Sequence, residues 1–291
     1  MQSLDDSLDK PDSLDKSFGK IEGIEGPMAS GKTNDFITKI NRWKAFVEIN
    51  TDAVVAVTKS DKDTRFLFDQ QGIADPTTVV QSRDGLMLKG VIPLASSDDL
   101  FGLYDNLKKH HDKIILGISE IQFLDSGILS FMKSIDSKTH LQWEGLISSF
   151  RGEWYELSDY KATMRGVVKL TDHIETHRSI CFYPGCGRFA DFTQRFSPEG
   201  EPDHWSSELN VVGVKQYSPR CELHHVVPGK EAAKFLIYPI NHAGDRGIPR
   251  SLMEAIGAYA GIPEDETESI LQAFEREKKI IQKEERIFPN Y

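Results

Sequence analysis

Gly26-Pro27-Met28-Ala29-Ser30-Gly31-Lys32-Thr33 matches the phosphate-loop pattern G-x-x-x-x-G-K-[ST] at every fixed position. Glycine at both ends lets the backbone curl until successive N–H groups point at one phosphate, with no side chain in the way. Lys32 then reaches the outer phosphates, and the Thr33 hydroxyl is a hard oxygen ligand for Mg²⁺. Such a loop runs out of a strand and into a helix. Lys20 to Glu25 alternates in strand fashion, with Gly23 as its weak point, and Asn34 to Phe46 sets Phe36, Ile37, Ile40, Trp43 and Phe46 near one helical face. The chain therefore reads as a binder of a nucleoside triphosphate.

Outward from the loop, Ala53 to Thr58 is a continuous apolar run, as expected of a buried parallel strand, and a polar loop follows from Lys59 to Phe66. Val79-Val80 and Val91-Ile92-Pro93 predict short strands. Ser97 to Lys109 predicts a helix with serine and aspartate at its start and lysines at its end. Lys113 to Ile118 is a second buried strand and ends in Ser119-Glu120. Strands and helices alternating around a phosphate loop imply an α/β core with a parallel sheet and ligands at the strands' carboxyl ends. Glu120 at such an end has two readings, a general base or a solvated strand-end glutamate. Gln142 to Tyr160 interleaves aromatics with glycines and polar residues without a sustained period. That suits a loop closing over a ring-shaped ligand, and equally an ordinary surface loop.

The chain of 291 residues can bury a full core with room for a smaller second domain. A net charge of −10 argues against a nucleic-acid backbone as the main partner. The absence of a long apolar run and the acidic, polar start predict neither a membrane span nor a signal peptide. Three cysteines, an odd count, predict a reducing, cytoplasmic setting rather than a disulfide framework. Residues 1–18 repeat Ser-Leu-Asp at Ser3, Ser7 and Ser13 and read as a disordered acidic tail. The core then spans 19–170, a smaller domain 171–230, and a helical extension 231–291. In that extension Ser251 and Glu254 predict a capping box ahead of Leu252 to Tyr259, with Gly261-Ile262-Pro263 as the stop. A charged helix from about Asp265 to Arg286 carries Ile270, Leu271, Phe274 and Ile281 on a stripe for packing or an oligomer contact.

Cys181-x₄-Cys186-Gly187 and Cys221-x₂-His224-His225 offer three thiols and an imidazole, the donors of a tetrahedral zinc site. A glycine after a ligating cysteine permits the tight turn that aims backbone N–H groups at sulfur. The residue types alone leave zinc and unligated cysteines both open, and leave open whether His224 or His225 is the fourth ligand.

Further motifs run in colinear order from about Gly19 to His225. GPMASGKT has Pro-Met after the first glycine. It is followed by Asp63-Thr64-Arg65, Ser82-Arg83-Asp84, Ile118-Ser119-Glu120-Ile121-Gln122-Phe123 and Gly145-Leu146 through Phe150-Arg151-Gly152-Glu153. Val168 to Asp172, Phe189 to Arg195, Val212-Gly213 and Tyr217-x₃-Cys221 complete the series. Together they resemble the thymidine kinases of the tetrameric, zinc-containing type. The resemblance implies a RecA-like phosphate-loop core with a small zinc-binding lasso domain, to which this chain adds its C-terminal extension. It also implies ATP-dependent phosphorylation of the thymidine 5′-hydroxyl, with Mg²⁺ accompanying ATP, structural zinc on Cys181, Cys186, Cys221 and His224, and a homotetramer.

By the same resemblance Glu120 would take the proton from the 5′-hydroxyl, while Lys32, the loop amides from Gly26 to Thr33, Mg²⁺ and Arg65 offset charge on the transferring group. Asp63, Ser119 and Gln122 join the phosphate end. Phe150 would stack on the pyrimidine, backbone groups of Val211, Val212 and Gly213 would bond its polar edge, and Tyr217 the sugar. Met28, Leu146 and Thr193 would surround the 5-substituent. Three departures stand out. Ser119 replaces the family's aspartate before the glutamate, Cys181-x₄-Cys186 is two residues longer than the usual C-x₂-C, and Ala29 replaces a larger aromatic. They leave room for two alternatives: a kinase for deoxyuridine or a 5-modified pyrimidine deoxynucleoside, and a weakly catalytic nucleotide-binding regulatory protein.

Overall fold

The structure, a computed structural model, describes residues 18–50, 52–63, 75–146, 159–196, 200, 202, 217–226, 230–276 and 278–290. The phosphate loop has the context it requires, with β1 (Ile21–Glu25) leading in and α1 (Lys32–Ile49) leading out. There follow β2 (Ala53–Ser60), the hairpin β3 (Val79–Gln81) and β4 (Met87–Lys89), β5 (Ile92–Leu94) and α2 (Ser97–His110). After these come β6 (Lys113–Ser119), α3 (Gly127–Lys133), β7 (Thr139–Gly145), α4 (Asp159–Leu170) and β8 (His173–Thr176). Six strands form one sheet in the order β5-β2-β6-β7-β1-β8, and every neighbouring pair is parallel. All carboxyl ends therefore lie along one edge, where ligands of such sheets bind. By contacts the chain divides into two compact units. One holds the described residues of 18–25, 31–145 and 165–176, the other those of 26–30, 146–164 and 177–290.

In the first unit, a parallel sheet must be covered on both faces, and the apolar stripe of α1 does this on one. Phe36, Ile37 and Ile40 pack with Ile24 and Val57, and with Val80, Leu88 and Val91 around the hairpin. Trp43 packs with Ala53 and Ile115, and Phe18 sits edge-on against Trp43 at 5.8 Å between ring centroids.

The loop expected from Gln142 starts later than its composition suggests. Gln142 to Gly145 complete β7, which is buried along its whole length between β6 and β1. Its polar residues are absorbed individually: the His140 ring lies 4.8 Å from Trp43, and Gln142 donates from Nε2 to the Glu22 carbonyl at 3.3 Å. The weak point of β1 has its reason here too. Gly23 pairs with Trp143, and a Cβ at Gly23 would fall 2.1 Å from the indole. That ring is fully buried and donates from Nε1 to Thr171 Oγ1 at 3.1 Å, so it cannot step aside. Gly23→Ala is expected to cost about 2–3 kcal/mol, read as a lower urea midpoint; an unchanged midpoint would mean that the ring relocates freely.

In the second unit, β9 (Ser179–Ile180) pairs antiparallel with β10 (Phe189–Ala190), and β11 (Phe192–Arg195) with β12 (Tyr217–Arg220). Beyond them lie α5 (Lys230–Ala243), β13 (Ile248–Pro249), α6 (Arg250–Tyr259), α7 (Glu264–Arg276), β14 (Ile280–Lys283) and β15 (Arg286–Pro289). These enclose a core of their own that includes Leu236, Ile240, Met253, Ile270, Leu271, Phe274 and Ile287. Helices α6 and α7 meet through the turn at 260–263, where Gly261 takes φ 73°, as in a helix-turn-helix.

Two local expectations fail in this region. The charged helix does not reach Arg286: it ends at Arg276 and gives way to an antiparallel hairpin of β14 and β15, with β13 as third strand. Lys278 turns left-handed at φ 56°, and the Lys279 N–H closes on the Phe274 carbonyl at 2.9 Å, the 6→1 bond of a Schellman ending. The β-branched pair Ile280-Ile281 follows directly. Nor does Ser251 cap α6, which begins one residue earlier. Arg250 is held there by Glu268, by Gln282 Oε1 at 2.8 Å and by Glu254 at 3.4 Å. No helix among the described residues is long and apolar enough to cross a membrane.

Candidate active site and metal centre

At the carboxyl edge of the sheet, Gly31 adopts φ 87° and starts α1, whose N-terminus no side chain among the described residues caps. A helix start with its first N–H groups unclaimed by a cap is suited to phosphate. Lys32 is buried just inside it, with Thr33 next. Two strands away in the sheet, β6 ends at Ser119, and Glu120 turns sharply with φ 52° and ψ 53°. A bulky residue in the left-handed region is strained, and such strain persists where the surroundings over-determine it. Glu120 is 4% exposed, so the solvated strand-end reading does not describe it, and its carboxylate accepts a hydrogen bond from Gln122 Nε2.

The centre of this group is a residue that sequence reading passed over. Glu144, fully buried near the end of β7, accepts from the Ser119 hydroxyl at 2.7 Å, from the Thr33 hydroxyl at 3.3 Å and from the Glu120 N–H at 3.3 Å. Lys32 Nζ lies 4.0 Å from its Oε2. Lys32, Thr33, Ser119 and Glu120 thus gather around one unpredicted carboxylate, with Gln122 bonded to Glu120. Strict alternation marks this stretch as a strand, with His140, Gln142 and Glu144 on one side and Leu141 and Trp143 on the other, but gives no sign that the polar side is buried. Asp63 is placed differently. It pairs with Lys59 at 3.3 Å, a buried lysine that also donates to the carbonyls of Pro76 and Val79 at 3.1 and 3.0 Å.

In the second unit, the part of the loop from Gly26 to Ser30 is pinned from outside. The Met28 N–H donates to Thr193 Oγ1 at 3.0 Å, Ser179 donates to the Ala29 carbonyl at 3.0 Å, and the His177 ring donates from Nδ1 to the Ser30 carbonyl at 3.1 Å. Met28 and Thr193, expected around one substituent, are therefore in contact, and Gly26 and Pro27 are buried beside them. Leu146 is buried, and Tyr217 is half-buried on β12 opposite Arg195. Arg65, Phe150, Val211, Val212 and Gly213 lie outside the described residues.

Cys181, Cys186, Cys221 and His224 converge, with their ligand atoms all within 4.8 Å of one another. Cys186 Sγ lies 3.7 Å from Cys221 Sγ, and His224 Nδ1 lies 3.4 Å from Cys221 Sγ and 3.6 Å from Cys181 Sγ. A tetrahedron with Zn–S of about 2.3 Å and Zn–N of about 2.0–2.1 Å has edges of roughly 3.5–3.8 Å, so the donor set could hold zinc. Geometry also separates the two histidines. His224 joins the thiols and stacks on Tyr183 with centroids 3.9 Å apart, while the His225 ring packs on Phe192 at 4.9 Å. Cys186 stands between Gly185 and Gly187, both left-handed at φ 75° and 63°, which gives the tight turn expected there. Burial pushes the Cys181 thiol up, but the N–H groups of Cys221 and Tyr183 and the His224 ring outweigh it and bring the thiol down to about 6. For Cys186 the Arg188 N–H favours the thiolate, yet burial and the two neighbouring sulfurs hold the thiol above its usual value.

The model of the thymidine kinase family matches residues 19–225. Among relatives, the thymidine kinase of Mycoplasmoides gallisepticum is 29% identical over 76% of this chain and 87% of its own length. That of Mesoplasma florum is 31% identical over 71% of this chain and 91% of its own, and that of Coprothermobacter proteolyticus 29% over 75% and 96%.

Proposed function

The chain belongs to the thymidine kinase family, and on that premise we propose how its residues phosphorylate thymidine. The reaction moves the γ-phosphoryl group of ATP to the 5′-hydroxyl: a new P–O bond forms, the bond to ADP breaks, and the hydroxyl proton needs an acceptor. The observation that carries the residue-level reading is Glu120, a buried carboxylate held in a strained turn at the end of β6 and oriented by Gln122. Glu120 takes the proton. Lys32, the N–H groups of the loop and Arg65 offset the charge on the transferring group. Mg²⁺ supplied with ATP neutralises charge on the phosphate oxygens, and Thr33 offers it a hard oxygen donor among others of the same kind.

Phe150 stacks on the base, the backbone at Val211 to Gly213 bonds its polar edge, and Tyr217 holds the sugar. The contact between Met28 and Thr193 supports their place, with Leu146, around the 5-methyl group. One methyl contributes only about 1–3 kcal/mol of discrimination, so rejection of cytosine falls to the hydrogen bonds. Cys181, Cys186, Cys221 and His224 hold a structural zinc ion. A homotetramer, as in the family type resembled, and a cytoplasmic setting for three cysteines outside any disulfide complete the proposal.

Incubation with ATP, Mg²⁺ and a panel of deoxynucleosides is expected to yield thymidine monophosphate and ADP in equal amounts, with thymidine the preferred acceptor. ATP binding without turnover of any deoxynucleoside would overturn the reading.

A further inference from the structure

We propose that Glu144 supplies the strand-end carboxylate that holds the divalent cation of bound ATP, taking over a duty that residue 119 cannot perform as serine. The inference rests on the kinase reading above. Phosphate-loop enzymes hold their cation between the loop's serine or threonine hydroxyl and an acidic residue at a strand end close by. Here the strand end at β6 offers Ser119, whose neutral hydroxyl attracts a divalent ion weakly. That hydroxyl donates its proton to Glu144 Oε1 at 2.7 Å, so the negative charge next to residue 119 sits on Glu144.

The topology explains how a neighbouring strand can take this place. β7 lies between β6 and β1, the strand that feeds the phosphate loop. Glu144 pairs in register with Ile24, one residue before β1 ends. Its second oxygen receives the Thr33 hydroxyl at 3.3 Å, the very group that the loop pattern assigns to the cation. Burying a carboxylate completely costs stability unless charge or hydrogen bonds answer it. The fold meets this with two hydroxyls, the Glu120 N–H and a loosely approaching Lys32, a set of groups that all belong to the nucleotide end of the site. A core position without such a duty would be better filled by an apolar side chain.

The test measures metal binding rather than turnover. Mn²⁺ is titrated against the full-length protein with ATP, with free Mn²⁺ read by electron paramagnetic resonance, and ATP affinity is measured separately in EDTA. Glu144→Gln is expected to weaken Mn²⁺ in the ternary complex by about tenfold or more, with metal-free ATP affinity within about twofold of the original. Glu144→Ser, which leaves no buried amide, is expected to show the same loss. Adding Ser119→Asp to either variant is expected to recover most of it, because the charge returns on the adjacent strand. Unchanged Mn²⁺ affinity in a folded Glu144 variant would overturn the proposal, as would a loss that Ser119→Asp leaves untouched. An unaltered chain that binds ATP neither with metal nor without it would instead overturn the kinase reading.

Discussion

Glu120→Gln is expected to lower kcat about 10³-fold, roughly 4 kcal/mol of barrier, while ATP affinity stays within about twofold. The substitution keeps the size of the side chain and its ability to bond Gln122, so the buried turn at φ 52° should survive. What it removes is the charge and basicity of the carboxylate that receives the 5′-hydroxyl proton. A stabilising contact to the ground state would show instead as a raised KM at constant kcat. Single-turnover phosphoryl transfer together with calorimetric ATP titration separates the two. Turnover at the original rate would place the proton acceptor elsewhere.

The second large effect concerns the cysteine cluster. Metal analysis is expected to find about one zinc per chain, and Cys186→Ser to lose it. Structural zinc contributes apparent binding free energies of about 10–16 kcal/mol in small domains, and part of that becomes folding free energy. Removing the ion by the substitution or by a chelator is expected to destabilise the second unit by about 3 kcal/mol or more, a fall in Tm of about 6 °C or more. Calorimetry with and without chelator reads this directly; a fully folded Cys186→Ser protein that still retains stoichiometric zinc would remove Cys186 from the ligand set. The longer spacing between Cys181 and Cys186 has a visible use in this centre. It carries Tyr183, whose ring lies face to face with His224 at 8° between planes and so fixes the imidazole's orientation.

The parts of this molecule that could be read from sequence are those where local chemistry and tertiary role agree. The phosphate loop demands a strand before it and a helix after it. The apolar runs of β2 and β6 are what a strand buried on both faces looks like. β7 is equally buried but carries His140, Gln142 and Glu144, and polar residues at alternate positions ordinarily mark a face open to water. Only their partners, from Trp43 to Thr33, show why they are inside. The C-terminal hairpin was hidden for a different reason. Its charged residues suit a continued helix, and the pairing with β13 that favours strands is set by residues nearly forty positions earlier. At the site, Glu120 could be found because it follows a buried strand, whereas Glu144 belongs to no motif. His224 and His225 were indistinguishable as neighbours and differ only in which ring each meets, Tyr183 or Phe192.

The core built by α5, α6, α7 and the terminal hairpin draws all of its buried residues from Ala233 to Ile287, beyond residue 225 where the family match stops. Mutations at Leu236 or Phe274 are therefore filtered by one set of neighbours, and mutations at Phe36 or Ile115 by another. The two stretches can drift at different rates within one lineage, and likeness to relatives should break off at a boundary rather than fade along the chain. Among the described residues, no member of this C-terminal core belongs to the apolar clusters that α1 forms with the sheet.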